Sequence, residues 1–194
     1  MWRSVTLTLL GPLLAVWLAF SASAATLDGV SLPDTYTIDG QTLALNGLGL
    51  RTLTIFRVRI YVAGLYLQRP SHDAAQILAS PGPKVIRLEF IRSGTKAQVE
   101  HQYREGEAKN CGNGGCAPTD REDFERLVAA APAVNPGDTS TYVFTDRGVR
   151  VFANDRLIGD YADVDLAKHL LAGFIGDHPP SDSLRDHLLG LAPE

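Results

Sequence analysis

The stretch from Leu45 to Leu67, LNGLGLRTLTIFRVRIYVAGLYL, constrains the fold more than any other part of the chain. It opens on Asn46-Gly47-Leu48-Gly49, where two glycines permit backbone angles closed to other residues, and it reads as a flexible turn. Arg51 follows, and then a pattern of period two. Phe56, Val58, Ile60 and Val62 point one way, and Arg57, Arg59 and Tyr61 the other. Gly64 interrupts the pattern and Leu65-Tyr66-Leu67 closes it. A long strand with one apolar face must bury that face under a second layer, which the rest of the chain has to supply.

The ends and the cysteines set the context. Met1-Trp2-Arg3, an uncharged apolar run from Val5 to Phe20 and then Ala22-Ser23-Ala24 read as a cleaved secretory signal over residues 1–24. The remaining residues 25–194 form a single domain, expected in a periplasmic or secreted setting with no stable membrane anchor after cleavage. A formal net charge of −4 and the lack of a basic run argue against a nucleic-acid partner. In an oxidising compartment Cys111 and Cys116, flanking Gly112-Asn113-Gly114-Gly115, are expected to form a small structural disulfide. A zinc site would need two more ligands at matching spacing. None is evident, and the five histidines show no ligand spacing either, so no metal or other cofactor is expected.

Taken in order, Tyr36–Ile38 and Thr42–Leu45 flank Asp39-Gly40, the signature of a tight hairpin. Ser71 is placed to cap a short helix through Ala79, and Lys84–Arg92 is a strand with Ile86, Leu88 and Phe90 inward. Arg87 and Glu89 on its other face are candidates to pair with Arg57 and Arg59, or else to form a solvated face. Capping boxes at Thr95–Gln98 and Thr119–Glu122 open two helices, to about Lys109 and Ala131. Thr139–Thr145, Val149–Ala153 and Arg156–Asp160 read as a meander turning at Asp146-Arg147-Gly148 and Asn154-Asp155, followed by a helix started by Asp163 through Phe174 and one capped by Ser181 from Asp182 to Leu189. The expected class is α+β, a mainly antiparallel sheet packed against a layer of helices.

Three segments carry a resemblance. The Gly47-x-Gly49-x-Arg51 turn leading to a strand that ends Gly64-Leu65-Tyr66-Leu67 resembles the strand pair of chalcone isomerase-fold proteins. Gln102-Tyr103-Arg104-Glu105 through Asn110-Cys111 resembles the family's helix with a tyrosine and an asparagine seven residues apart. Asn154–Leu157, Leu170–His178 and Ser181–Leu189 resemble its C-terminal segments, and the Gly-Asp-His-Pro-Pro ending is most similar to the secreted bacterial chalcone isomerase-like proteins. The resemblance implies an open-faced sandwich of sheet and helices. In its catalytic members an arginine holds a phenolate and hydroxyl donors polarise a ketone during an intramolecular addition.

On that resemblance Arg51, Tyr103 and Asn110 match the catalytic positions, and seven residues on a helix put Tyr103 and Asn110 on one face. Two active-site threonines of the family fall on Tyr61, which is bulky enough to fill the cleft, and on Gly173, which has no donor. Phe174 follows Gly173 in the same cleft-lining segment. Each retained residue also has a plainer reading: Arg51 as a turn residue, Tyr103 as a core aromatic, Asn110 as a helix terminator. Three functions therefore stand. One is a binding module for a small anionic apolar ligand, fatty-acid-like, through Arg51, Tyr61, Tyr103, Asn110, Gly173 and Phe174. The second is an isomerase of the intramolecular lyase type. The third is a haem-binding protein like some relatives of the fold, for which only weak axial ligands are present.

Overall fold

The structure, a computed structural model, describes residues 24–53, 56–111, 116 and 118–191. The expected signal lies outside them, apart from Ala24, the first residue of β1 (Ala24–Leu27). With β2 (Val30–Pro33) this strand forms a separate two-stranded hairpin. A seven-stranded antiparallel sheet follows in strict chain order. It comprises β3 (Thr35–Ile38), β4 (Gln41–Leu53), β5 (Val58–Leu67), β6 (Lys84–Phe90), β7 (Thr139–Thr145), β8 (Gly148–Ala153) and β9 (Arg156–Tyr161). Helix α1 (Ala74–Ala79) joins β5 to β6, and α2 (Lys96–Asn110) and α3 (Pro118–Ala130) join β6 to β7. Helices α4 (Val164–Ile175) and α5 (Asp182–Leu188) follow β9.

One face of the sheet carries the helices. Ala63, Leu65, Ile86, Leu88, Tyr142 and Val151 bury themselves there against Leu127, Leu171, Ile175 and Leu184. Each fully buried aliphatic of this kind contributes about 1.5–3 kcal/mol. On the opposite face the β1–β2 hairpin lays Val30 and Leu32 over Val62, and the Tyr66 hydroxyl donates to the Pro33 carbonyl at 2.9 Å. A second outer cluster gathers Leu43, Tyr66, Val85 and Val143. The expected α+β class is therefore observed.

Two bulges decide which side chains meet the helices. Leu45 pairs with Tyr66 but Gly47 with Leu65, so Asn46 is an extra residue in β4. Arg51 pairs with Tyr61 but Thr52 with Arg59, so Ile60 is extra in β5. A one-residue slip moves every later side chain to the other face. Leu43 and Leu45 therefore lie on the outer face with Leu48 and Leu50, whereas Gly47, Gly49 and Arg51 turn to the helices. Beyond the second bulge Tyr61 lines the same side as Val58 and Ile60, not the opposite side as its spacing indicates.

The glycines consequently do a different job from the one expected. Asn46–Gly49 is no turn but the middle of a 13-residue strand, and neither glycine has a positive φ. A Cβ on Gly47 would stand 2.0 Å from the His187 carbonyl oxygen, and one on Gly49 would be 2.9 Å from Leu184. These positions are bare so that α5 can lie directly on the strand. Gly64 likewise does not break β5, which runs through it.

Local signals fared unevenly. Asp39 and Gly40 both take positive φ in the β3–β4 turn, as expected, and Asp28-Gly29 makes the same turn in the β1–β2 hairpin, a signal present in the sequence but not read. Asp73, not Ser71, caps α1, its carboxylate accepting from the Gln76 amide at 3.0 Å. The Thr95–Gln98 capping box forms, but α3 starts on Pro118 and leaves Thr119 inside the helix, since proline suits the first helical position. Arg87 pairs with Asp155 and Arg59 with Asp28, because β6 sets Arg87 and Glu89 beside Gly64 and Val62 instead of beside the β5 arginines.

Candidate functional site

Between the sheet and helices α2, α3 and α4 lies a cavity of about 680 Å³, within the usual range for small-molecule sites, with a mainly apolar wall. Arg51, Tyr61, Tyr103, Asn110, Gly173 and Phe174 all line it. Residues from β4, β5, α2 and α4, spread over more than a hundred positions of sequence, are thus brought to one space. Tyr61 does not fill that space.

Arg51 sits at its rim because the Gly47, Gly49, Arg51 alternation carries it past the N-terminal end of α5. Its Nη1 donates to the carbonyls of Pro180, at 2.5 Å, and Thr52, at 2.9 Å. Among the described residues no carboxylate pairs with it, and Glu105, whose acidity it favours, is already bonded to Lys109. A guanidinium held by carbonyls alone keeps its full charge at the wall, with donors in a fork suited to a carboxylate.

Facing it is a cluster of tyrosines. Tyr61 lies directly across the β4–β5 ladder from Arg51 and packs edge-on against Phe90. Tyr103 on α2 and Tyr142 on β7 share a short hydroxyl–hydroxyl hydrogen bond, and Tyr142 also packs on Phe174 at 5.6 Å between ring centres. Burial pushes Tyr61 and Tyr103 up to about 12, opposed at Tyr61 by the charge of Arg51 and at Tyr103 by the bond from Tyr142. Burial drives Tyr142 well above its ordinary value too. All three are neutral donors at neutral pH. Tyr142 escaped the sequence reading, since nothing in an alternating strand marks one tyrosine as a partner for a helix 39 residues away.

Asn110 and Gly173 are less equipped for chemistry. The Asn110 amide, at the last residue of α2, donates to the carbonyls of Gly106 at 2.9 Å and His178 at 3.4 Å. Gly173 lies beside it, and a Cβ there would meet only Asn110 Nδ2, at 3.8 Å. The seven-residue spacing does place Tyr103 and Asn110 on one face, toward the cavity.

At the same wall Cys111, which caps the end of α2, forms a disulfide with Cys116. The Cys116 sulfur is 3.3 Å from Nδ1 of His169 on α4, and that nitrogen is 2.9 Å from an oxygen of the buried Asp120 on α3.

A curled antiparallel sheet with one helix-covered face thus encloses an arginine-bearing apolar cavity. The chain belongs to the chalcone isomerase-like family, whose model matches residues 24–190. Its fold is that of the Arabidopsis thaliana fatty-acid binding protein AtFAP1, with a TM-score of 0.70 at 15% identity over 86% of this chain and 96% of that one. No curated protein matches it in sequence.

Proposed function

We propose that the protein binds a small anionic apolar ligand of the fatty-acid type, its carboxylate on Arg51 and its hydrocarbon in the cavity, and that it does so after export. The observation that carries this reading is an arginine on the wall of a 680 Å³ apolar cavity with no carboxylate partner among the described residues. Unoccupied by an anion, that charge is a poor use of an apolar wall; paired with one through two parallel bonds it is a selective anchor. The fold neighbour's name, a fatty-acid binding protein, supports the same class of ligand. Export is supported by the N-terminal signal pattern and agrees with the disulfide.

Flavonoid cyclisation is not part of this reading. The Asn110 amide is spent on two carbonyls and Gly173 offers no donor, so two of the positions matched to the family's site do not polarise a ketone here. Each missing donor to developing charge costs about 10²–10³ in rate.

The test is titration of delipidated protein with a long-chain fatty acid and with its methyl ester. The acid binds the wild type tightly, and Arg51→Ala weakens it by about 2–5 kcal/mol, thirtyfold or more, while the ester binds both proteins alike. Equal affinity of wild type and Arg51→Ala for the acid would sink the reading. Chalcone added to the protein keeps its absorbance over the time it does so in buffer; rapid loss would transfer the reading to an intramolecular lyase.

A further inference from the structure

The spacing of the cysteines does not supply a metal site, but the fold does. Helix α2 brings Cys111, the start of α3 brings Asp120, and α4 brings His169 to the second cysteine, so donors 53 residues apart in sequence share one corner of the cavity wall. The ligating atoms of Cys111, Cys116 and His169 all lie within 4.8 Å of one another. His169 Nδ1 meets both the Cys116 sulfur, at 3.3 Å, and the Asp120 carboxylate, at 2.9 Å. In a tetrahedral zinc site the bond lengths place nitrogen about 3.5 Å from sulfur and about 3.3 Å from a carboxylate oxygen. Both observed separations are slightly shorter than those edges, so a small expansion of the ring, sulfur and carboxylate around a cation seats it without rearrangement of the helices.

We propose that reduction of the Cys111–Cys116 disulfide converts this corner into a Cys2HisAsp site for zinc or a similarly thiophilic cation. The chemistry balances with a dithiol as reductant. Its two thiols become a disulfide, and the two electrons and two protons open Cys111–Cys116 to a pair of thiols. Binding of the divalent cation then releases both thiol protons to solvent, and the imidazole donates its lone pair unprotonated. Thiolate ligands select d10 and borderline cations over magnesium or calcium. Asp120 is only 3% exposed and stands in the first turn of α3, where the helix dipole favours negative charge. The site is independent of the lipid reading. It adds a second binding function on the same cavity wall, gated by the redox state of the pair.

The experiment compares the disulfide protein with protein reduced by a dithiol that is then removed under inert gas. Reduced protein takes up one equivalent of Zn²⁺ from a chromophoric chelator, and with Co²⁺ it shows both ligand-field bands of tetrahedral intensity and a thiolate-to-cobalt charge-transfer band. The disulfide form shows neither. His169→Ala and Asp120→Asn each lower zinc affinity tenfold or more, and Cys116→Ser weakens the charge-transfer band. The His169 and Asp120 variants are first checked for wild-type melting in the disulfide form, so that lost affinity is not lost fold. The proposal is overturned if reduced wild type leaves the zinc with the chelator. It is equally overturned if Co²⁺ gives no charge-transfer band, or if well-folded His169→Ala binds as tightly as wild type.

Discussion

Arg51 is both a cavity residue and a fastener. Its two bonds to the Pro180 and Thr52 carbonyls mean that it is not without native partners, so Arg51→Ala should cost about 1 kcal/mol of stability along with its loss of ligand affinity. The tyrosines opposite give a sharper signature. A tyrosine raised from about 10 in the unfolded chain to about 12 in the folded one stabilises the protein fully below pH 10 and loses that contribution as the pH climbs from 10 toward 12. Ultraviolet titration of the native protein should therefore leave Tyr61, Tyr103 and Tyr142 un-ionised at a pH where tyrosines of the unfolded chain have already titrated, and unfolding should release them together. Gly173 is a third case. It sits inside α4, where a Cβ would make only an ordinary contact with Asn110 Nδ2 at 3.8 Å, so Gly173→Ala should stabilise the protein by about 0.5–1 kcal/mol in denaturant melts without closing the cavity.

The contact of β4 with α5 is one of backbone on backbone. Because α5 lies against the bare backbone of Gly47, a methyl there has backbone atoms on its path and no flexible side chain to push aside. Gly47→Ala should cost about 3 kcal/mol or more, at or beyond the top of the usual range for overpacking, and should loosen the loop that Arg51 grips. Its effect on chemical denaturation is the check; a near-neutral result would mean that α5 does not rest on the bare strand. Asn46, the bulged residue beside it, fastens the same junction by donating to the Leu188 carbonyl at 2.8 Å and accepting from the Ser71 amide at 2.7 Å. Helix α2 is the opposite kind of element. None of its residues is fully buried. It is tied down by polar links instead: Arg104 to Glu125 at 2.5 and 2.9 Å, Lys96 to the Ala129 and Ala131 carbonyls, Tyr103 to Tyr142, and the disulfide.

A molecule built this way has a firm half and a looser one. The sheet with α4 and α5 carries the packed core, while α2 roofs a cavity and meets that core through Val99 and Tyr103, so the rest of its inner face has no packed floor. Amide hydrogen exchange should be fastest in α2 among the longer helices and slow in α4, as the local free energy follows buried contact. A ligand that fills the cavity supplies the missing floor. Saturation at a hundred times the dissociation constant should add about 2.7 kcal/mol of stability, seen as a raised melting temperature, with the new exchange protection concentrated in α2. Protection gained instead in the β1–β2 hairpin, on the opposite face of the sheet, would place the ligand elsewhere.

What the sequence determined by itself was local. Asp39-Gly40 and Asn154-Asp155 are turns because few other residues accept positive φ, and both are turns here. The alternation in Lys84–Phe90 and the capping residues Thr95, Asp163 and Ser181 likewise act over a few positions, and they hold. The resemblance went further, gathering Arg51, Tyr103 and Asn110 before any geometry was known. What only the tertiary structure decided depends on where one element lies on another. A bulge is invisible in a run of alternating residues until the neighbouring strand fixes the register, so the facing of Tyr61 was read backwards. Gly47 and Gly49 look like a turn until α5 is seen resting on them, and Tyr142, Asp120 and His169 join the cavity wall only because three helices fold over one sheet. Local chemistry selects the elements; the shape of the space between them, and hence the site, is set by packing across the whole chain.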